Sequence, residues 1–230
     1  MAPMAEELTC WTLIRDAAGG DAGAREMFAT RYLPVVRAFL GTRWSGRLSP
    51  EEIDDAAQEV FVECLKEQGL LERVREGERA GFRGFLLGAC RNVALRIEDQ
   101  RRRRRVADGG SSALAELTPA DEETLGRAFD QAWARSLLRE AAERQAERAR
   151  EKDDGARRRV ELLELRFKQG LPIRDIARRW NVEAAWLHHQ YAQAGKEFER
   201  ALREVIAFHR PGRPDAVQRE LQELMALLQP

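Results

Sequence analysis

Cysteine is scarce in this chain: Cys10, Cys64 and Cys90 are odd in number, far apart and without a CxxC pair. That pattern argues against a disulfide framework and against a thiolate metal site, and a reducing cytoplasm is the expected home. Apolar runs approaching the roughly 20 residues needed to cross a bilayer are also missing. Acidic Glu6 and Glu7 stand where a secretory leader would be basic, so no membrane partner is expected. Runs of β-branched residues are absent, which removes the usual material of strands. Net charge is lacking too, with 39 basic against 39 acidic residues.

What is present is charge in blocks. Residues 1–90 hold 11 basic and 15 acidic residues, 91–105 hold 7 and 2, 106–154 hold 7 and 12, and 155–230 hold 14 and 10. Two acidic segments therefore alternate with two basic ones, and a polyanionic partner has to be sought by position. Alanine, leucine, glutamate and arginine dominate, and apolar residues recur at three and four, so the chain is expected to be all-α. A length of 230 residues suits two small domains, each with a modest core.

The clearest helix start is Ser49-Pro50-Glu51-Glu52, a capping serine with proline in the first turn and glutamate three residues on. Its apolar stripe is Ile53, Ala56, Ala57, Val60, Phe61, Cys64 and Leu65; Asp54, Asp55, Gln58, Glu59 and Val62 take the opposite face. A second helix covers about 81–104, burying Phe82, Phe85, Leu86, Ala89, Cys90, Val93 and Ile97 and ending in the arginine run Arg101–Arg105. Before these, 22–43 reads as a helix bent near Leu33 by Pro34, with Met27, Phe28 and Val35 in the core.

Periodicity stops in the Gly- and Ser-containing stretch at 107–121, which reads as a linker between a domain at 1–106 and another at 122–209. The helix after it buries Leu125, Phe129, Trp133 and Leu137. Val160, Leu163 and Phe167 are expected to face inward on the next helix, which Gly170 ends. Pro172 opens a short helix with Ile173, Ile176, Ala177 and Trp180, and Asn181 takes the left-handed turn before a long helix through Leu187, Tyr191, Ala194, Phe198 and Leu202. Gly195 leaves that helix locally soft. An extension, 210–230, carries a further leucine stripe at about 214–228.

The order of these pieces resembles the sigma-70 superfamily of RNA polymerase sigma factors in its small, extracytoplasmic-function form, over about residues 20–105 and 122–209. Asp54-Asp55-Ala56-Ala57-Gln58-Glu59-Val60-Phe61 is similar to the family's acidic helix, and Phe82-Arg83-Gly84-Phe85-Leu86-Leu87 with Ala89-Cys90-Arg91-Asn92-Val93-Ala94 to its promoter-melting stretch. Leu162-Leu163-Glu164-Leu165-Arg166-Phe167 and Gly170-Leu171-Pro172-Ile173-Arg174-Asp175-Ile176-Ala177 resemble the start of its carboxyl-terminal helix-turn-helix. The resemblance implies a first domain, σ2-like, whose Asp54, Asp55, Gln58, Glu59 and Val62 dock on the clamp helices of the polymerase β′ subunit. It implies that Arg83, Phe85, Arg91, Asn92 and Arg96, with Arg101, Arg102, Arg103, Arg104 and Arg105, hold promoter DNA near the minus-10 element.

For the second, σ4-like domain it implies upstream duplex contacts from Arg174, Arg178, Trp186, His188, His189, Gln190, Gln193 and Lys196, and contact with the β flap. Relatives usually carry small polar and basic residues where this chain has Trp186, His188, His189 and Gln190. A second reading is therefore a regulatory protein-interaction module with degenerate minus-35 readout. An anti-sigma factor or other regulator is the remaining class of partner. The exposed carboxylates lack the concave pocket and partner group of acid–base catalysis, and adjacent His188 and His189 point about 100° apart, so neither an active site nor a metal or other cofactor is expected. An ordinary repressor would leave the acidic and arginine-rich helices without a purpose.

Overall fold

The structure, a computed structural model, describes residues 9–73, 81–107, 121–209, 217–219 and 221–222, with the backbone alone at 105 and 106. The fold is all-α: among the described residues every regular element is a helix, in the order α1 (Cys10–Ala18), α2 (Ala22–Arg43), α3 (Pro50–Leu65), a short 3-10 turn (Leu70–Arg73), α4 (Gly81–Ala107), α5 (Glu122–Lys152), α6 (Asp154–Phe167), α7 (Ile173–Trp180) and α8 (Ala184–His209). None of the described helices is long and apolar enough to cross a membrane. Apart from its two ends, the linker expected at 107–121 lies outside the described residues, as does most of the extension at 210–230.

The chain divides into two compact units. Described residues up to Ser136, with Phe208, His209 and Gln222, make the first, and Leu137–Ala207 the core of the second. The division thus falls inside α5, whereas the sequence pattern places a boundary at 107–121. The reason is aromatic packing: Phe129 meets Phe39 edge-on at 6.2 Å, and Trp133 stacks on Tyr32 at 5.8 Å. Leu125, Phe129 and Trp133 therefore complete the core of the first unit instead of starting that of the second.

In the first unit α2 supplies Phe28, Tyr32, Val35, Val36, Phe39 and Leu40, all buried, and runs through Pro34 as one helix. Met27, expected in the core, is 46% exposed, because the buried stripe follows Ala24, Phe28 and Tyr32 and leaves it on the flank. α3 begins as its sequence dictates. Ser49 accepts from the Glu52 amide at 3.2 Å and the Glu52 carboxylate accepts from the Ser49 amide at 2.8 Å, a reciprocal cap whose loss typically costs about 1 kcal/mol. Ala56, Ala57, Val60, Phe61 and Cys64 are buried, with Ile53 and Leu65 half-buried. At its end Gly69 is required: a Cβ there would lie 2.5 Å from the Lys66 carbonyl and 2.7 Å from that of Cys64.

α4 buries Phe82, Leu86, Ala89, Cys90, Val93, Ala94 and Ile97, while Phe85, expected among them, is half-buried with its ring 5.8 Å from Phe82. A charged device joins α2 to α4. Arg43, 3% exposed, grips Glu98 at 2.8 and 3.1 Å, and the Trp44 indole N–H donates to the same carboxylate at 2.8 Å. Three donors on one carboxylate satisfy charges that would otherwise oppose burial.

In the second unit Leu162, Leu165, Ile176, Ala177 and Leu187 form the core, with Leu171, Ile173, Trp180, Val182 and Tyr191 packed against it. Asn181 takes the left-handed conformation (φ 51°) that ends α7 and turns the chain toward α8. The inward register of α6 differs from expectation. Val160 and Leu163 are half-buried and Phe167 is 72% exposed, while Ala156, Arg159, Leu162 and Leu165 face in. Arg159 occupies an inward position because Glu197 neutralises it at 2.7 and 3.0 Å, so the stripe runs through a charged residue.

Candidate docking and nucleic-acid surfaces

On α3 the polar flank stands out from the bundle. Asp54, Asp55, Gln58 and Val62 are exposed, Val62 by 53%, and Glu59 is partly so. Asp54 pairs with Arg37 of α2, and Glu59 with Arg96 of α4 at 2.6 Å. The positions 55, 59 and 62 follow the i, i+4, i+7 rule, which joins two carboxylates and a valine into one strip. Such a strip offers negative charge with an apolar contact, and it suits a basic protein surface.

The arginines of α4 divide by direction. Arg96 and Arg101 turn to α3, Arg96 reaching Glu59 and Glu63 and Arg101 reaching Glu52 at 2.9 Å. Arg83 and Arg91 turn instead to α5, where they pair with Asp130 and with Glu122. Between these flanks lies an outward stripe at heptad spacing, with half-buried Phe85 and Gly88, then exposed Asn92 and Leu95, partly exposed Asp99 and exposed Arg102. Asp99 takes both Arg102 at 2.7 Å and Arg103 at 2.6 Å, and these arginines hold its carboxyl below the usual range. Arg104 is exposed; the side chain of Arg105 lies outside the described residues.

Carboxylates around this helix respond to the same charges. The Ser49 amide and Arg101 lower the pKa of Glu52, and Lys66 with Arg96 lowers that of Glu63. Glu63, in return, raises that of Arg96. Behind the stripe, burial pushes the Cys64 thiol up to about 12 and that of Cys90 higher still.

In the second unit Arg174 and Arg178 are exposed on α7 and both lie beside Asp175. On α8, Trp186 is 43% exposed, His188, His189 and Lys196 are exposed, and Gln190 and Gln193 are half-buried. Leu187 between them is fully buried and anchors that end of the helix. Further along, the opposite flank of α8 is held by α5 and α6: Gln145 donates to the Ala194 carbonyl at 3.2 Å, Arg148 pairs with Glu204, and Arg159 with Glu197.

Five partners of the expected site residues are ones the sequence pattern does not single out, namely Arg37, Glu63, Asp99, Glu122 and Asp130. Glu59 and Glu63, four apart on one flank of α3, are the available signal; the α5 partners require knowledge of packing. Leu95, 55% exposed in the middle of the outward α4 stripe, lies off the apolar stripe read from the sequence and is not among the expected site residues. No protein-family model matches the chain, and no curated protein matches it.

Proposed function

We propose that the chain is a sigma factor of the extracytoplasmic-function type, which binds bacterial core RNA polymerase and brings it to particular promoters. The observation that supports this best is the pairing of two surfaces in one unit: an acidic strip with Val62 on α3, and beside it an outward stripe on α4 with Phe85, Asn92, Leu95 and a terminal cluster of arginines. The same two helices carry the stretches of the first domain that resemble the family. In this reading α3 gives the polymerase contact. Arginines at the end of α4 meet backbone phosphates, which set affinity and position, and Phe85 with Leu95 offers apolar surface to unstacked bases. Free energy for strand opening comes from those contacts and from the polymerase.

The deciding measurement is transcription by core polymerase with and without the chain on a genomic fragment library, with start sites mapped. Defined new start sites are expected, and Asp55→Lys should remove them while leaving the melting temperature unchanged, since Asp55 lies on the exposed flank. Core binding without any new start site would instead favour the second reading, a regulatory module that occupies polymerase. That reading draws on the bulky, partly apolar start of α8, where Trp186 is 43% exposed next to His188 and His189.

A further inference from the structure

Glu59 is an odd member of a docking strip, because its charge is already in use. Arg96 reaches across from α4 and puts one guanidinium nitrogen 2.6 Å from Glu59 and another 2.8 Å from Glu63. The two carboxylates are not equivalent. Glu63 has a second cation, Lys66 at 2.6 Å, whereas Arg96 is the cation that pairs with Glu59. The fit of Arg96 is also incomplete, for its Nε is buried and makes no hydrogen bond. By contrast Glu52, the partner of Arg101, is bound into the cap of α3 by the Ser49 amide. Of the three ion pairs that α4 makes with α3, only that of Glu59 lies on the strip with Asp55 and Val62.

Resting on the docking reading above, we propose that Arg96 is an internal competitor for the docking face: it occupies Glu59 in the free chain, and a partner engages that carboxylate with a basic side chain of its own only by displacing Arg96 onto Glu63. The partner's contribution is thereby defined as a cation, a lysine or arginine side chain able to replace the one hydrogen bond that Arg96 gives Glu59. Affinity is set by the difference between two ion pairs, so that removing the competitor strengthens binding. A residue that only pinned α3 to α4 would do the opposite.

The sign of the effect is therefore the test. Affinity of the full chain for bacterial core RNA polymerase is measured by competition for wild type, Arg96→Gln, Glu63→Gln and Glu59→Gln, and for each of the first two changes combined with Glu59→Gln. Arg96→Gln should tighten binding about two- to fivefold, the range expected for a partly exposed pair. Glu63→Gln should weaken it, because Arg96 then settles wholly on Glu59. Both effects should vanish in the Glu59→Gln background. Unfolding cannot produce the expected gain, and Glu63→Gln keeps Arg96 in place should its removal loosen the bundle. Weaker or unchanged binding of Arg96→Gln, with Glu59→Gln still impaired, would overturn the competitor while sparing the docking face. If the wild-type chain does not bind core polymerase at all, the docking reading falls and the competitor with it.

Discussion

Arg159 and Glu197 join α6 to α8 through two hydrogen bonds of 2.7 and 3.0 Å, with the arginine 7% exposed and the carboxylate at the edge of solvent. Deleting the carboxylate leaves a nearly buried guanidinium without its main partner. Glu197→Ala is therefore expected to destabilise the second unit by about 1–3 kcal/mol. Glu199→Ala, which removes only an exposed pair with Arg203 on the same helix, should cost about 0.5 kcal/mol or less. Urea melts of the two variants give the comparison, and equal losses would contradict it.

Acid should weaken a second link in that unit. Glu204 has its pKa lowered from 4.5, chiefly by its hydrogen bonds from Arg148 and then by the charges of Arg148, Arg144 and Arg200. A depressed folded value means that the pair's stabilisation is complete above the unfolded value of about 4.5 and is lost as pH falls through the lower folded one. Glu204→Gln should consequently reduce stability at pH 7, and by progressively less as the pH is lowered below 4.5. Thermal melts across that range should converge at the acid end; parallel curves would show that Glu204 does not titrate as described.

Thiol reagents should find the native chain inert. Cys10, Cys64 and Cys90 are all buried, and burial holds the Cys64 and Cys90 thiols protonated well beyond pH 8. Labelling with a maleimide at pH 8 is expected to be slow and to follow unfolding, with all three sites modified promptly in denaturant. Rapid labelling of Cys64 under native conditions would mean that α3 and α4 separate more readily than their packing implies.

On the α4 stripe, Asp99 competes with any phosphate for Arg102 and Arg103. Asp99→Asn should strengthen DNA binding by the polymerase complex and steepen its salt dependence. Replacing Arg102 and Arg103 by glutamine should flatten the slope by about 0.7–0.9 for each phosphate that an arginine no longer neutralises. Filter binding at several salt concentrations measures both, and an unaltered slope in the double glutamine variant would remove this helix end from the DNA interface.

The parts legible in the sequence are those set by local chemistry. The Ser49–Glu52 cap, the left-handed Asn181 and the outward flank of α3 each follow from a few neighbouring residues, and each stands in the structure as those residues dictate. Illegible are the features that depend on a distant partner. Arg159 cannot be placed inward without knowing that Glu197, 38 residues on, neutralises it, and the rest of α6 shifts register with it. Trp133 reads as part of the wrong core because Tyr32 lies across a stretch of chain that looks like a linker. The arginines of α4 look free for the same reason: Glu63, Glu122 and Asp130 come to them only through packing.

The contrast between Trp44 and Trp186 has an optical consequence. Trp44 and Trp133 are sealed in the first unit, at 0% and 4% exposure, and Trp180 lies beneath the Arg158 guanidinium at 4.8 Å, whereas Trp186 stands in water on α8. Emission from the sealed indoles should be blue and shift only when the fold melts, while that of Trp186 should be red and open to collisional quenchers such as iodide. With half-buried Trp11 and Trp180 replaced by phenylalanine, the chain would carry two spectrally separable reporters, one for the integrity of its first unit and one for whatever covers the start of α8.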